Sequence, residues 1–139
     1  MFAFGHVFNR QSFLFLLDLE IKKAQRYQNF LSLLSLTFDH LNPSLNENPT
    51  VSLKTMGNLL KDELRDTDVI GQGGTNRLFV MLPYADVGGA NKVRKRLEQI
   101  LRDFGFGAKG FAVEIDEVCF PTHATNIEDL LRVAGNHLS

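Results

Sequence analysis

The sequence has no tryptophan and a single cysteine, Cys119. One thiol excludes a disulfide within the chain, and with it the small secreted scaffolds stapled by such bridges; it fits a reducing, cytoplasmic setting. An excess of one charge is also missing. Fifteen basic and sixteen acidic residues leave a formal net charge of -1, which excludes the footprint of bulk nucleic-acid binding and a polybasic membrane anchor. No stretch approaches the ~20 consecutive apolar residues of a membrane span. The basic-then-apolar order of a signal peptide is absent, because Arg10 precedes the apolar run 13–17 and that run soon meets Asp18 and Glu20. The histidines (His6, His40, His123, His137) lack metal-ligand spacing and read as scattered surface residues. No Ser-His-Asp or P-loop pattern occurs, and Cys119 falls in a strand, a core residue rather than a nucleophile.

What is present is an ordinary globular composition. At 139 residues, 44% hydrophobic and 22% charged, the chain suits one domain with one sizeable core, spanning 1–139. Twelve phenylalanines point to a dry aromatic interior. Apolar residues at Phe13, Leu16, Leu17, Ile21, Ala24 and Tyr27 recur at gaps of three and four, which predicts an amphipathic helix over 9–28 with Asn9 as N-cap. The run FLSLLSLTFD (30–39) reads as a central strand buried on both faces. Residues 40–50, rich in Asn and Pro, read as a loop. Leu53, Met56, Leu59, Leu60 and Leu64 mark a second helix over 52–65. Val87, Ala90, Val93, Leu97, Ile100 and Leu101 mark a third over 86–104, whose charged side reads as a solvated face. Residues 111–120 alternate near period two and form a strand, and a last helix covers 126–137. Without the first and last helices the order is βαββαβ. The expected fold is therefore α+β, with a ferredoxin-like core and an antiparallel central sheet flanked by helices.

The chain is organised around 65–83, RDTDVIGQGGTNRLFVMLP. Two apolar runs joined by a Gly/Asn cluster predict a hairpin over 68–83. This stretch resembles the GGDEF domain family, the bacterial diguanylate cyclases, whose pattern is R-x-x-D, five residues, GGDEF, four residues and Pro. Here Arg65-Asp66-Thr67-Asp68 is followed by VIGQG, GTNRL, FVML and Pro83. Further fragments agree in order. NRQSF (9–13) is similar to the family's NRRxF, LSLTFDHLN (34–42) to its LxxxDxDxFK, IDEVCFP (115–121) to its S-x-G-x-A-x-x-P strand, and EDLLRVAG (128–135) to its closing helix. The resemblance covers nearly the whole chain and implies a nucleotide-cyclase-like fold. The signature can start at Gly73, but spacing to Arg65 and Pro83 favours Gly74-Thr75-Asn76-Arg77-Leu78.

Family members condense two GTP molecules to cyclic di-GMP, which requires hard oxygen ligands for Mg²⁺. The resemblance puts the ligand positions at Thr37 and Asn76, a hydroxyl and a neutral amide. Asp39 matches the second Asp of the family's D-x-D. Arg77 reverses the charge of the fourth signature position and reads as a solvated turn residue rather than a phosphate contact, and Thr75 is expected to crowd a phosphate or base approaching the turn. The guanine-reading pair falls near Leu45 and Asn46, the G-H-x-x-G-D segment is replaced around Pro49 and Thr50, and the D-x-L-T opening has become FAFG (2–5). The expectation is no catalytic residue, no metal and no cofactor.

The resemblance leaves one binding site, the R-x-x-D motif of product inhibition, as Arg65 and Asp68. An arginine fork can donate to guanine O6 and N7, and an aspartate can accept from N1 and N2. Both side chains are expected to reach solvent on one side of the domain. A purely structural role stands beside this one: Arg65 complementing the helix dipole and Asp68 capping the turn. Two functions follow, an inactive cyclic di-GMP receptor in a bacterial signalling protein, or a non-binding dimerisation or protein-interaction scaffold. Expected partners are cyclic di-GMP, an upstream sensor or partner domain and a second copy of the chain. Arg94, Arg96 and Arg102 are candidate sources of a second arginine contact.

Overall fold

The computed structural model describes residues 1–40 and 49–135. Most of the loop expected over 40–50, including Leu45 and Asn46, lies outside the described residues, as does the end of the last helix. Two short strands open the chain, β1 (Phe2–Phe4) and β2 (Val7–Phe8), followed by α1 (Arg10–Tyr27) and β3 (Leu31–His40). Next come α2 (Pro49–Glu63), the hairpin of β4 (Val69–Gly74) and β5 (Arg77–Pro83), and α3 (Val87–Phe104). A short 3-10 turn (Gly107–Lys109), β6 (Phe111–Phe120) and α4 (Ile127–Gly135) complete it.

Among the described residues the strands form one sheet in the order β1-β2-β4-β5-β3-β6. The four core strands pair antiparallel, giving the expected split βαββαβ arrangement. The sheet as a whole is mixed, because β2 adds to the β4 edge in parallel, Val7 opposite Ile70 and Phe8 opposite Gly71. Nothing in the sequence reading anticipated β1 and β2. Their signal is nonetheless there: Phe2 and Phe4 alternate, Gly5 adopts a left-handed φ of +50, and Val7 and Phe8 return antiparallel to β1.

Helix ends follow local chemistry. Asn9 caps α1 by accepting from the Ser12 amide at 2.8 Å, and Asp86 caps α3 by accepting from Gly89 at 2.8 Å. α3 ends at Gly105, whose φ of +88 is left-handed. The sheet has a core on each face, because strand side chains alternate. Leu34, Leu36, Leu78, Val80 and Ile115 pack with α2 and α3. Leu33, Phe79, Met81 and Val118 pack with Phe13, Leu17 and Ile21 of α1 and with Leu130 of α4. The first and last helices thus cover the face that α2 and α3 leave open. Gly71 makes the α1 packing close: a Cβ there would collide with the Phe13 ring.

Candidate functional site at the two ends of the central hairpin

The tip of the β4–β5 hairpin brings together the residues that spacing singled out. Arg77 stands opposite Thr37 in the β3–β5 register, and the Asn76 carbonyl accepts from the Phe38 amide at 2.9 Å. Of the two glycines of the turn, Gly73 is committed to packing and Gly74 is not. A Cβ on Gly73 would stand 2.7 Å from the Phe79 ring and 2.9 Å from Arg77 Cγ, and the Gly73 carbonyl accepts from Arg10 at 3.1 Å.

Arg77 corrects the sequence reading. It is 1% exposed and lies beneath α4, where Nη1 donates to the Ala134 carbonyl at 3.4 Å. A turn residue would be solvated, but β5 begins at Arg77 and alternation directs its side chain to the α1–α4 face with Phe79 and Met81. Burial pushes its pKa down, while Asp116 and Asp39 oppose that shift. The carbonyl end of α4 supplies further compensation for the buried cation. Its own Nε, and Ser35 Oγ and Thr37 Oγ1 of β3, are buried without a hydrogen-bond partner among the described residues. Asp39 and Asp116 are thus the carboxylates that act on this charge.

At the foot of the hairpin, Arg65 and Asp68 do come together. The Asp68 carboxylate accepts from Arg65 Nη2 at 3.2 Å, from its Nε at 3.5 Å and from its backbone amide at 2.9 Å. Arg65 Nη2 also donates to the Pro83 carbonyl at 3.1 Å. The expectation that both side chains reach solvent is half met: Arg65 is 59% exposed and Asp68 only 2%. The Asp68 carboxylate turns back to the amide of Arg65, three residues earlier, and so closes the turn that follows α2, and the same carboxylate then grips the guanidinium.

Arg65 opens onto a cavity of about 340 Å³, within the ~300–1,000 Å³ of small-molecule sites. Sequence reasoning missed the rest of its wall. Lys61 and Asp66 come from the end of α2 and the turn after it, Phe2 and Phe8 from the first two strands, and His6 from the turn between those strands. Asp66 was legible within RDTD; the aromatic wall depends on a strand pairing between distant residues. None of the proposed second arginines lines the cavity. Arg94 pairs with Glu98 and Glu117, Arg96 with Glu63, and Arg102 hydrogen-bonds Gln99.

A split βαββαβ sheet with helices on both faces and a hairpin tip beside the end of the first core strand defines an α+β domain of the nucleotide-cyclase kind. The chain belongs to the GGDEF family: it matches "Diguanylate cyclase, GGDEF domain" over residues 3–139. Similar solved structures include a DGC protein from Thermotoga maritima, 16% identical with a TM-score of 0.80 over 94% of each chain. The GGDEF domain of YfiN from Pseudomonas aeruginosa is 20% identical, with a TM-score of 0.79 over 92% of this chain and 85% of that one. The GGDEF domain of DgcB from Caulobacter crescentus, solved in complex with c-di-GMP, is 14% identical, with a TM-score of 0.61 over 81% of this chain and 69% of that one. No curated protein sequence matches. Among the described residues no helix is long and apolar enough to cross a membrane.

Proposed function

We propose that this chain is a catalytically inactive GGDEF domain that serves as a cytoplasmic cyclic di-GMP receptor through Arg65 and Asp68, alongside a sensor or partner domain. The observation that carries the receptor reading is the exposed Arg65 fork, gripped by Asp68 and opening onto the 340 Å³ cavity. A guanidinium held through Nε and Nη2 by the Asp68 carboxylate and the Pro83 carbonyl presents Nη1 in a fixed direction, so less entropy is lost when the guanine O6/N7 edge accepts from it. The Caulobacter GGDEF domain of similar fold, solved with c-di-GMP, lends the ligand its plausibility.

Loss of catalysis rests on the hairpin tip. Phosphoryl transfer between two GTP molecules needs a divalent cation held by anionic oxygens. Thr37 and Asn76 bring none, and the buried guanidinium of Arg77 stands where added positive charge would be repelled. Incubation with GTP and Mg²⁺ is expected to yield no cyclic di-GMP; product above the no-protein control overturns this reading. Calorimetric titration with cyclic di-GMP is expected to show binding on the order of tens of micromolar or tighter. Arg65→Ala should abolish it, and undiminished binding by that variant sinks the receptor assignment.

The alternative, a non-binding scaffold, draws on Phe15 and Leu19, which stand 65% and 43% exposed four residues apart on α1. It requires a mass that rises with concentration and no nucleotide affinity.

A further inference from the structure

The cavity at Arg65 has a second wall that owes nothing to the R-x-x-D motif. β1 and β2 exist as strands only because β2 pairs in parallel with β4, the strand that begins one residue after Asp68. That pairing brings Phe2, His6 and Phe8 against a cavity whose other side is Lys61, Arg65 and Asp66. Phe2 stacks on Phe8, with ring centroids 4.4 Å apart and planes at 30°, and meets His6 edge-on at 6.2 Å. Phe2 nonetheless remains 47% exposed. A phenyl ring fixed by a stacked neighbour, half open to solvent and facing an arginine across a cavity is an arrangement suited to a planar base. Stacking uses the π-face that every base has.

The polar groups divide in a way the motif does not show. The Asp68 side chain is 2% exposed and spends its oxygens on Arg65, so it positions the guanidinium. Asp66 is exposed, lines the cavity and carries the accessible carboxylate. Lys61 brings an ammonium to the same wall, suited to a phosphodiester.

Resting on the receptor reading above, we propose that the first hairpin supplies the stacking wall of the site. A guanine base lies against Phe2, Arg65 donates from Nη1 to its O6/N7 edge, and Asp66 accepts from its N1 and N2 hydrogens. Lys61 meets the phosphate. Adenine offers no O6 acceptor and no N1 hydrogen, so the edge contacts select guanine while the wall does not.

The chain's lack of tryptophan provides a direct readout. In Phe2→Trp the introduced indole is the only one, and cyclic di-GMP is expected to quench its emission on binding. Phe2→Leu, which keeps an apolar side chain and loses the ring, should weaken cyclic di-GMP binding roughly tenfold, and Asp66→Asn by a similar factor. Cyclic di-AMP should bind at least tenfold more weakly than cyclic di-GMP. Wild-type affinity in Phe2→Leu together with an unquenched Phe2→Trp overturns the wall, while loss of binding in Arg65→Ala would leave the receptor reading standing. Equal affinity for the two cyclic dinucleotides, or full affinity in Asp66→Asn, overturns the edge assignment. No binding by the unaltered chain overturns both readings.

Discussion

Arg77 shows how little a residue's letter says about its depth. Polar and next to a turn, it reads as solvated, yet it is buried against the last carbonyls of a helix 57 positions further along the chain. Its burial is decided by a contact that no local pattern contains. Its neighbours make replacement by an anion costly. In Arg77→Glu a buried carboxylate would face the Ala134 carbonyl and the field of Asp39 and Asp116, with Arg10 the cation still acting on the site. The expected loss is about 3–5 kcal/mol, read as a lower urea midpoint at unchanged slope; an unmoved midpoint would contradict the burial account. Arg65 and Asp68, by contrast, were legible because their spacing is local, though the division between an exposed fork and a buried holder was not. Asp68→Asn is expected to cost about 1–2 kcal/mol, since the charge-assisted pair and the turn-closing bond from the Arg65 amide weaken together.

At the scale of elements, the helices and the four core strands were readable because each buries one face and repeats its apolar residues at that period. The first two strands escaped because three and two residues are too few to show a period, and because their partner lies some sixty residues away. The same brevity sets their stability. Two register pairs to β4 hold β2, so amides of β1 and β2 are expected to exchange well before those of β3 and β5; equal protection by hydrogen-exchange mass spectrometry would refute this. α1 is fastened differently, by Phe13 seated over the bare backbone of Gly71. Gly71→Ala should cost about 1–3 kcal/mol and Phe13→Ala about 3–5 kcal/mol. In the Phe13→Ala background the Gly71 substitution should cost much less, because the clashing ring is gone; additive losses would place the strain elsewhere.

For the whole molecule, one sheet serves as the floor of two cores, so neither can melt alone. Leu33 and Leu34 are adjacent in sequence, both fully buried, and point to opposite clusters. Leu33→Ala and Leu34→Ala should each remove about 2–5 kcal/mol while unfolding stays a single transition by far-UV circular dichroism and by tyrosine fluorescence. Separate transitions would mean that the faces are independent. The order in which strands add to that floor also decides how the chain answers a mechanical load. A force applied at Met1 reaches β1 and then the short β2–β4 ladder before any core strand. Both peel from the sheet edge one pair at a time. An optical-tweezers trace should therefore show an early yield of about 25–30 Å, roughly eight residues at ~3.3–3.6 Å each, below the main rupture. That first yield would carry Phe2 and His6 away from Arg65, so tension on this end of the chain would empty the cavity while the cores stayed folded.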